Sequence, residues 1–473
     1  MHGIKVSERA TSTVTPVSVD SALPLYVGTS PVAMVGGAVN VPVLAFNKAE
    51  AVAALGFADA NKETGFFDFT LSEAIDAHFT LFGSGPIVLV NVLDPTRHKK
   101  TVSNETVTIA NDQGKLAVLG AIKSTVVVTG KLLNTDYELE YDAAGYLVIF
   151  AKDGGSLVKG EIKVTYDVQD PSKVLETDIT GGIDSKGVKT GLELTADIFP
   201  MFRKTLGQIV VPKYSMTPSV AAIMSAKANS VSGMFKAMSI SDAAVEDYRK
   251  VAEWKNTNNI AKPNQILTWP YGKLGEKTYH MSTLLSALIG LVDSQNGGIP
   301  YVSPSNKNIG INGLVNKDGQ TIWLDPVQSD EMLGKQGVVS ALNFIGGWVA
   351  WGNRTAAYPA NTDVKDAWIS VRRMFNWIGN TIIQTMWQRL DHPLDRKQVE
   401  IVVDSLNLWI NSLVAQGAIL GCRVEFQPVD NPDSQLLDGK SVFRVYLAAP
   451  TPNEEMEFIL EYDPSYFSTL FSD

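Results

Sequence analysis

The spacing of apolar positions changes several times along the chain, and each change predicts a different kind of structure. Residues 23–28 (LPLYVG) and 86–92 (PIVLVNV) are unbroken apolar runs, the pattern of strands covered on both faces. Between them, residues 48–56 (KAEAVAALG) read as a short helix closed by Gly56. Residues 70–83 read as a second, with Thr70 at its N-cap and Glu73 three residues on. Strand and helix alternate, so residues 21–95 predict the first part of an α/β core. From 96 to 195 the rhythm shortens. ETVTIA, KLAVLG, STVVVTG, YELEYD, YLVIFA and EIKVTYDV are brief strands separated by NDQG, DAAG and KDGG turns. That spacing predicts an all-β sandwich domain inserted into the α/β one.

The α/β alternation returns over 196–330. Residues 207–212, 235–241 and 264–271 read as strands, and residues 218–231, 242–256 and 281–295 as helices, with Asp242 near the cap of the second. The two flanking halves should share one sheet, which keeps the connections short. An α+β C-terminal domain is expected over 331–450. In residues 366–390, Trp368, Val371, Phe375, Ile378, Ile382 and Met386 form one helical stripe. Residues 395–417 form a second helix, capped by Asp395 and ended by Gly417, and strands follow at 422–427 and 442–450.

The two ends differ from everything between them. Residues 1–20 have no helical period; Ile4 and Val6 alternate with polar neighbours, Val14 lies in a Thr-rich run, and Pro16 breaks it. Such a segment frays unless a sheet holds it. Residues 451–473 are a second arm. Within it Met456, Phe458, Leu460 and Tyr462 alternate with Glu457, Ile459 and Glu461, a strand pattern with too little chain after it to supply its own hairpin partner.

Composition narrows the functional classes. Of 473 residues, 45% are hydrophobic and 19% charged, an ordinary globular balance. The net charge of −10 argues against nucleic acid as the main partner. A single cysteine, Cys422, excludes an internal disulfide and a cysteine metal cluster. No signal-peptide core opens the chain and no apolar run spans a membrane, so membrane insertion is not expected and a soluble cytoplasmic product is.

The candidates for chemistry are weak. Residues 182–190 (GIDSKGVKT) approach a phosphate-binding loop, but Val188 separates Gly187 from Lys189 and no apolar strand leads in. GSGP at 83–86 lies between helix and strand, the reverse of a dinucleotide loop. His2, His78, His98, His280 and His392 are scattered, with His78 at a packing edge and His392 in a surface turn. RHKK at 97–100 reads as a solvated linker, and Cys422 as buried and inert. No catalytic residue, cofactor or metal is therefore expected. Residues 366–390 carry Arg372, Arg373 and Arg389 against Asp366, a net +2 on an acidic chain. Such a helix either faces an acidic partner or is a core helix with snorkelling arginines.

Residues 347–355 (GWVAWGNRT), 371–378 (VRRMFNWI), 414–426 (VAQGAILGCRVEF) and 431–462 (NPDSQLLDGKSVFRVYLAAPTPNEEMEFILEY) resemble the C-terminal region of contractile tail sheath proteins of myophages and R-type pyocins. Residues 3–30 are similar to that family's N-terminal arm and first strand. The resemblance implies a virion subunit, assembled in the bacterial host cytoplasm. It implies helical polymerisation in hexameric rings around a tail tube protein, with baseplate and tail terminator proteins as further partners. It implies that terminal arms add strands to sheets of neighbouring subunits, which would give residues 456–462 a partner in another chain. It implies contraction that drives the tube through the host envelope, and makes Arg372, Arg373 and Arg389 candidates for facing that tube. The alternatives are an α/β enzyme with a β-sandwich accessory domain, or another virion or baseplate structural protein.

Overall fold

The computed structural model of the chain describes residue 14, residues 16 and 17, and residues 19–142 and 144–471. Its centre is an eight-stranded sheet. In chain order the strands are β1 (Pro24–Gly28), β2 (Val43–Ala45), β3 (Ile87–Asn91), β4 (Gln208–Val210), β5 (Met238–Asp242), β6 (Gln265–Thr268), β7 (Val338–Asn343) and β8 (Trp348–Trp351). Their spatial order is β8-β7-β6-β5-β4-β1-β3-β2. The six inner strands run parallel, and β2 and β8 close the two edges antiparallel.

Both faces of this sheet are covered, which explains the unbroken apolar runs. Along β1, Leu25 and Val27 enter one core, with Val88, Val90 and Ile209. Tyr26 enters the opposite core with Leu89, Val210, Ile240 and Ile266. Helix α1 (Pro218–Asn229) packs on the first face through Val220, Met224 and Ala228. Helix α2 (Met281–Gln295) packs on the second through Leu284, Leu285 and Leu288.

Residues 99–169 form two three-stranded antiparallel sheets around a separate core of Val107, Ile109, Tyr137, Leu139, Ile149, Val164 and Tyr166. The module closes on itself, because the Asp170 N–H donates to the His98 carbonyl at 2.8 Å. Its packing ends near Gln169, short of the 195 expected from the turns. Val174, Ile179, Leu192 and Leu194 instead belong to the core under the large sheet.

The boundary expected at 331 also moves. β7 and β8 complete the large sheet, and the C-terminal core begins with helix α3 (Ile369–Met386) and helix α4 (Arg396–Ala415). These carry a two-stranded sheet of β9 (Gly421–Glu425) and β10 (Arg444–Ala448). The predicted stripe lies where its period demands: Val371 and Ile378 are buried in this core, and Trp368, Phe375, Ile382 and Met386 pack against it.

Two capping expectations are corrected. Thr70 is already helical; its hydroxyl accepts from the Thr29 N–H at 3.1 Å, tying the helix start to the end of β1. Asp242 ends β5, and Asp247 caps the following helix by accepting from the Arg249 N–H. Asp395 does cap α4 through the Gln398 N–H at 2.7 Å, and Gly417 takes the left-handed conformation that follows it, at φ +74°.

Candidate assembly surface

After Ala448 the backbone has neither helix nor strand until residue 464. One contact pins the start of this segment. Glu454 pairs with Arg354, whose guanidinium lies 3.4 Å over the Trp368 ring and 4.5 Å over that of Tyr358. Beyond the pin Met456, Phe458, Ile459, Leu460 and Tyr462 are all exposed, Leu460 at 95%. Seven consecutive residues thus place both sides of a strand pattern in solvent. Apolar exposure this continuous marks a surface that another molecule covers. The last turn, Pro464–Phe471, brings the Phe467 ring to 6.4 Å from Tyr462.

Nearby, β9 and β10 form a sheet of two strands with nothing paired to either outer edge among the described residues. Val424 fixes this pair to α4 through Asn407, its N–H donating to Asn407 Oδ1 at 2.8 Å. The N-terminal strip lies over the same helices. The Val14 N–H donates to Ser405 Oγ at 2.9 Å and the Val17 N–H to Thr385 Oγ1 at 3.1 Å. Val19 is buried, and its carbonyl accepts from Trp377 Nε1 at 3.1 Å. Of the arm positions singled out in the sequence, Ile4 and Val6 lie outside the described residues, and Val14 is half-buried on α4.

The three arginines separate. Arg373 is buried, pairs with Asp293 at the end of α2, and donates to the Ser21 carbonyl. It therefore cannot meet a partner, and the expectation that it faces one is corrected. Arg372 is held by Asp366 at 3.0 Å and lies 5.4 Å from the Phe375 ring centre, leaving little of it exposed. Arg389 alone stands at an exposed end, beside Trp387, Leu390 and the turn 391–395.

The chemical candidates dissolve for stated reasons. In the loop 182–190, Asp184 Oδ1 accepts from the N–H groups of Lys186 and Val188, both at 2.8 Å, so the loop's own carboxylate occupies donors a phosphate would need. His78 is fully buried rather than at an edge. It bonds the Tyr26 and Ser84 hydroxyls, and burial pushes its pKa down to about 3. His98 is buried too, 3.3 Å from Asp178, while Arg97 and Lys100 of that stretch are exposed. Cys422 is half-buried, and burial raises its thiol pKa.

A polar cluster that the sequence did not reveal sits at the C-terminal ends of β5 and β6. Glu73 accepts from the His280 N–H at 2.7 Å and lies 2.8 Å from His280 Nδ1. Asp242 accepts from the Ser282 N–H and hydroxyl and from Thr268 Oγ1. Its members come from five separate elements, so no local spacing could mark them. Every member is hydrogen-bonded and buried, which suits a structural network. Among the described residues, no helix is long and apolar enough to cross a membrane, and no group of three His, Cys, Asp or Glu side chains is arranged to hold a metal.

No protein-family model matches the chain. The tail sheath protein of Burkholderia phage BcepMu is 28% identical to it, across 99% of this chain and 98% of that protein. The chain is a contractile tail sheath homologue. The major tail sheath protein of Serratia phage KSP20 is 26% identical over 64% of the chain and 75% of its own length. Sheath folds solved in other systems agree in architecture. The contracted sheath of the PVC extracellular contractile injection system superposes with a TM-score of 0.60 at 14% identity, covering 98% of each chain. The contracted helical sheath of the anti-feeding prophage gives 0.59 at 16% identity, covering 98% of this chain and 99% of that one. The sheath homologue therefore shares a mixed α/β fold of several sheets with these proteins, end to end.

Proposed function

We propose that this chain is the structural subunit of a contractile phage tail sheath, polymerising helically around a tail tube and contracting to drive that tube through the host envelope. The observation that carries the reading is the exposed strand pattern at 456–462, on a chain whose β9–β10 sheet has two open edges among the described residues. A two-stranded sheet alone is marginal, and an added strand supplies main-chain hydrogen bonds while alternate side chains set its register. Donating the arm to a neighbour and accepting one in turn is a head-to-tail contact, which builds a filament when it does not close. The N-terminal arm, with Ile4, Val6 and Val14, is the second connector. The exposed turn 390–394 is the element that faces the tube, with Arg389 at its root. Baseplate and tail terminator proteins cap the polymer, the 99–169 module points outward, and assembly takes place in the host cytoplasm.

Electron microscopy of the purified chain, paired with its elution size, tests this. Tubes, or a monomer that polymerises when triggered, are expected. A stable small oligomer that never polymerises would favour the enzyme alternative and overturn the proposal.

A further inference from the structure

A groove of about 390 Å³ lies between the short helix Ile198–Phe202, the loop around Met234 and the C-terminal end of α3. Phe199, Met234, Phe235, Ile383 and Trp387 line it, with Arg203 on its wall. Met234 and Trp387 are exposed there. Its charge is unusual for this chain. Of the ten described arginines, eight make ion pairs; Arg203 and Arg389 do not. Arg203 stands in the lining of this groove, and Arg389 follows Gln388, which also lines it. An apolar trough with an unneutralised guanidinium on its wall, and a second just beyond its lining, fits a segment that is apolar and acidic together.

The chain itself carries such a segment. From residue 449 onward there are six carboxylates, Glu454, Glu455, Glu457, Glu461, Asp463 and Asp473, and no lysine or arginine. At its tip Phe467 and Leu470 are exposed, and Phe467 clusters with Tyr462. The nine residues after Glu454 reach up to about 30 Å when extended, far enough to leave the subunit that anchors them. Phe344 and Ile345, exposed in the β7–β8 turn, have no carboxylate beside them and so lack the acidic half of that chemistry.

We infer that the groove receives the C-terminal tip of a second copy of this chain, Phe467 and Leu470 entering the trough while Glu461 and Asp463 meet Arg203 and Arg389. The inference rests on the sheath reading and adds to it. The arm then holds its neighbour twice, by strand pairing at 456–462 and by an aromatic plug beyond it.

The test is cross-linking in assembled tubes. In a Cys422→Ser chain, Met234→Cys and Phe467→Cys are introduced together, both at exposed positions. Oxidised tubes should give a chain-to-chain ladder on a non-reducing gel, and either cysteine alone should give none beyond dimers. Independently, Arg203→Glu should lower tube yield by roughly tenfold at low salt, and Glu461→Lys with Asp463→Lys should restore it. Tubes that form normally without a ladder overturn the inference and leave the sheath reading intact. So does an Arg203→Glu chain that makes normal tubes but no longer retains an inner tube protein, because the groove would then belong to that protein. A parent chain that makes no tubes under any condition overturns both.

Discussion

At the scale of single residues, burial decides what a charge can do. Arg372, Arg373 and Arg389 look alike in the sequence, yet Arg373 is buried against Asp293, Arg372 is tied to Asp366, and Arg389 makes no ion pair among the described residues. Arg373→Ala would strand Asp293 without its partner in the core and should cost about 3–5 kcal/mol of subunit stability, measured by urea unfolding. Arg389→Ala should stay within about 0.5 kcal/mol, since it removes no buried contact. His280 gives a pH signature. Burial alone would lower its pKa, but the Glu73 carboxylate in contact with it and the nearby Asp242 outweigh burial and the opposing Lys213, so the net shift is upward. A raised folded-state pKa means the stabilisation is complete below the ordinary histidine value of 6.5 and is lost as pH rises through the folded value. Unfolding free energy should therefore fall from pH 6 toward higher pH, and His280→Gln should flatten that slope. An unchanged slope in the variant would assign the pH dependence to other groups. None of this was legible beforehand, because Glu73, Asp242 and His280 lie on three separate elements and meet only after these have packed.

At the scale of elements, the sequence was far more informative. The runs forming β1 and β3, the α2 span 281–295 and the stripe of α3 were read from periodicity alone, because each obeys one packing environment along its length. Capping was less legible. Thr70 and Asp242 have the right chemistry for an N-cap, but tertiary partners claim their oxygens first. The segment 456–462 shows the same limit from the other side: its period is that of a strand, and inside one chain it pairs with nothing that would make it one. Phe458→Pro removes a main-chain donor and fixes φ. The isolated subunit should change by less than about 0.5 kcal/mol, because Phe458 is 80% exposed there. The polymer loses one link per subunit, so tube formation should fail. Thermal unfolding of the monomer and microscopy of the polymer decide the matter together: normal tubes, or a monomer destabilised like a core variant, would show that the strand is not an inter-subunit link.

At the scale of the whole molecule, cores define the units better than turns do. The 99–169 module has its own core and adjacent ends, so replacing residues 100–168 by a short Gly/Ser linker should leave a cooperatively folding remainder. Gln169 should keep its bond to the Ala33 N–H, and the loss should be about 1–3 kcal/mol, from contacts such as Tyr141 with Ala33. Calorimetry of the excised chain checks this; aggregation or loss of the cooperative transition would make the module part of the core. Periodicity by itself indicated where most strands of the large sheet and the long helices lie, and that the α/β pattern is interrupted and resumes. Those properties depend on neighbours a few residues apart. Only the tertiary structure decided that Val174, Ile179, Leu192 and Leu194 pack beneath the large sheet, that β7 and β8 complete it, that Arg373 is internal, and that Arg203 and the stretch leading into Arg389 meet at one groove. Each of these depends on which surfaces meet, and two residues 186 positions apart leave no local trace of meeting in either one's surroundings.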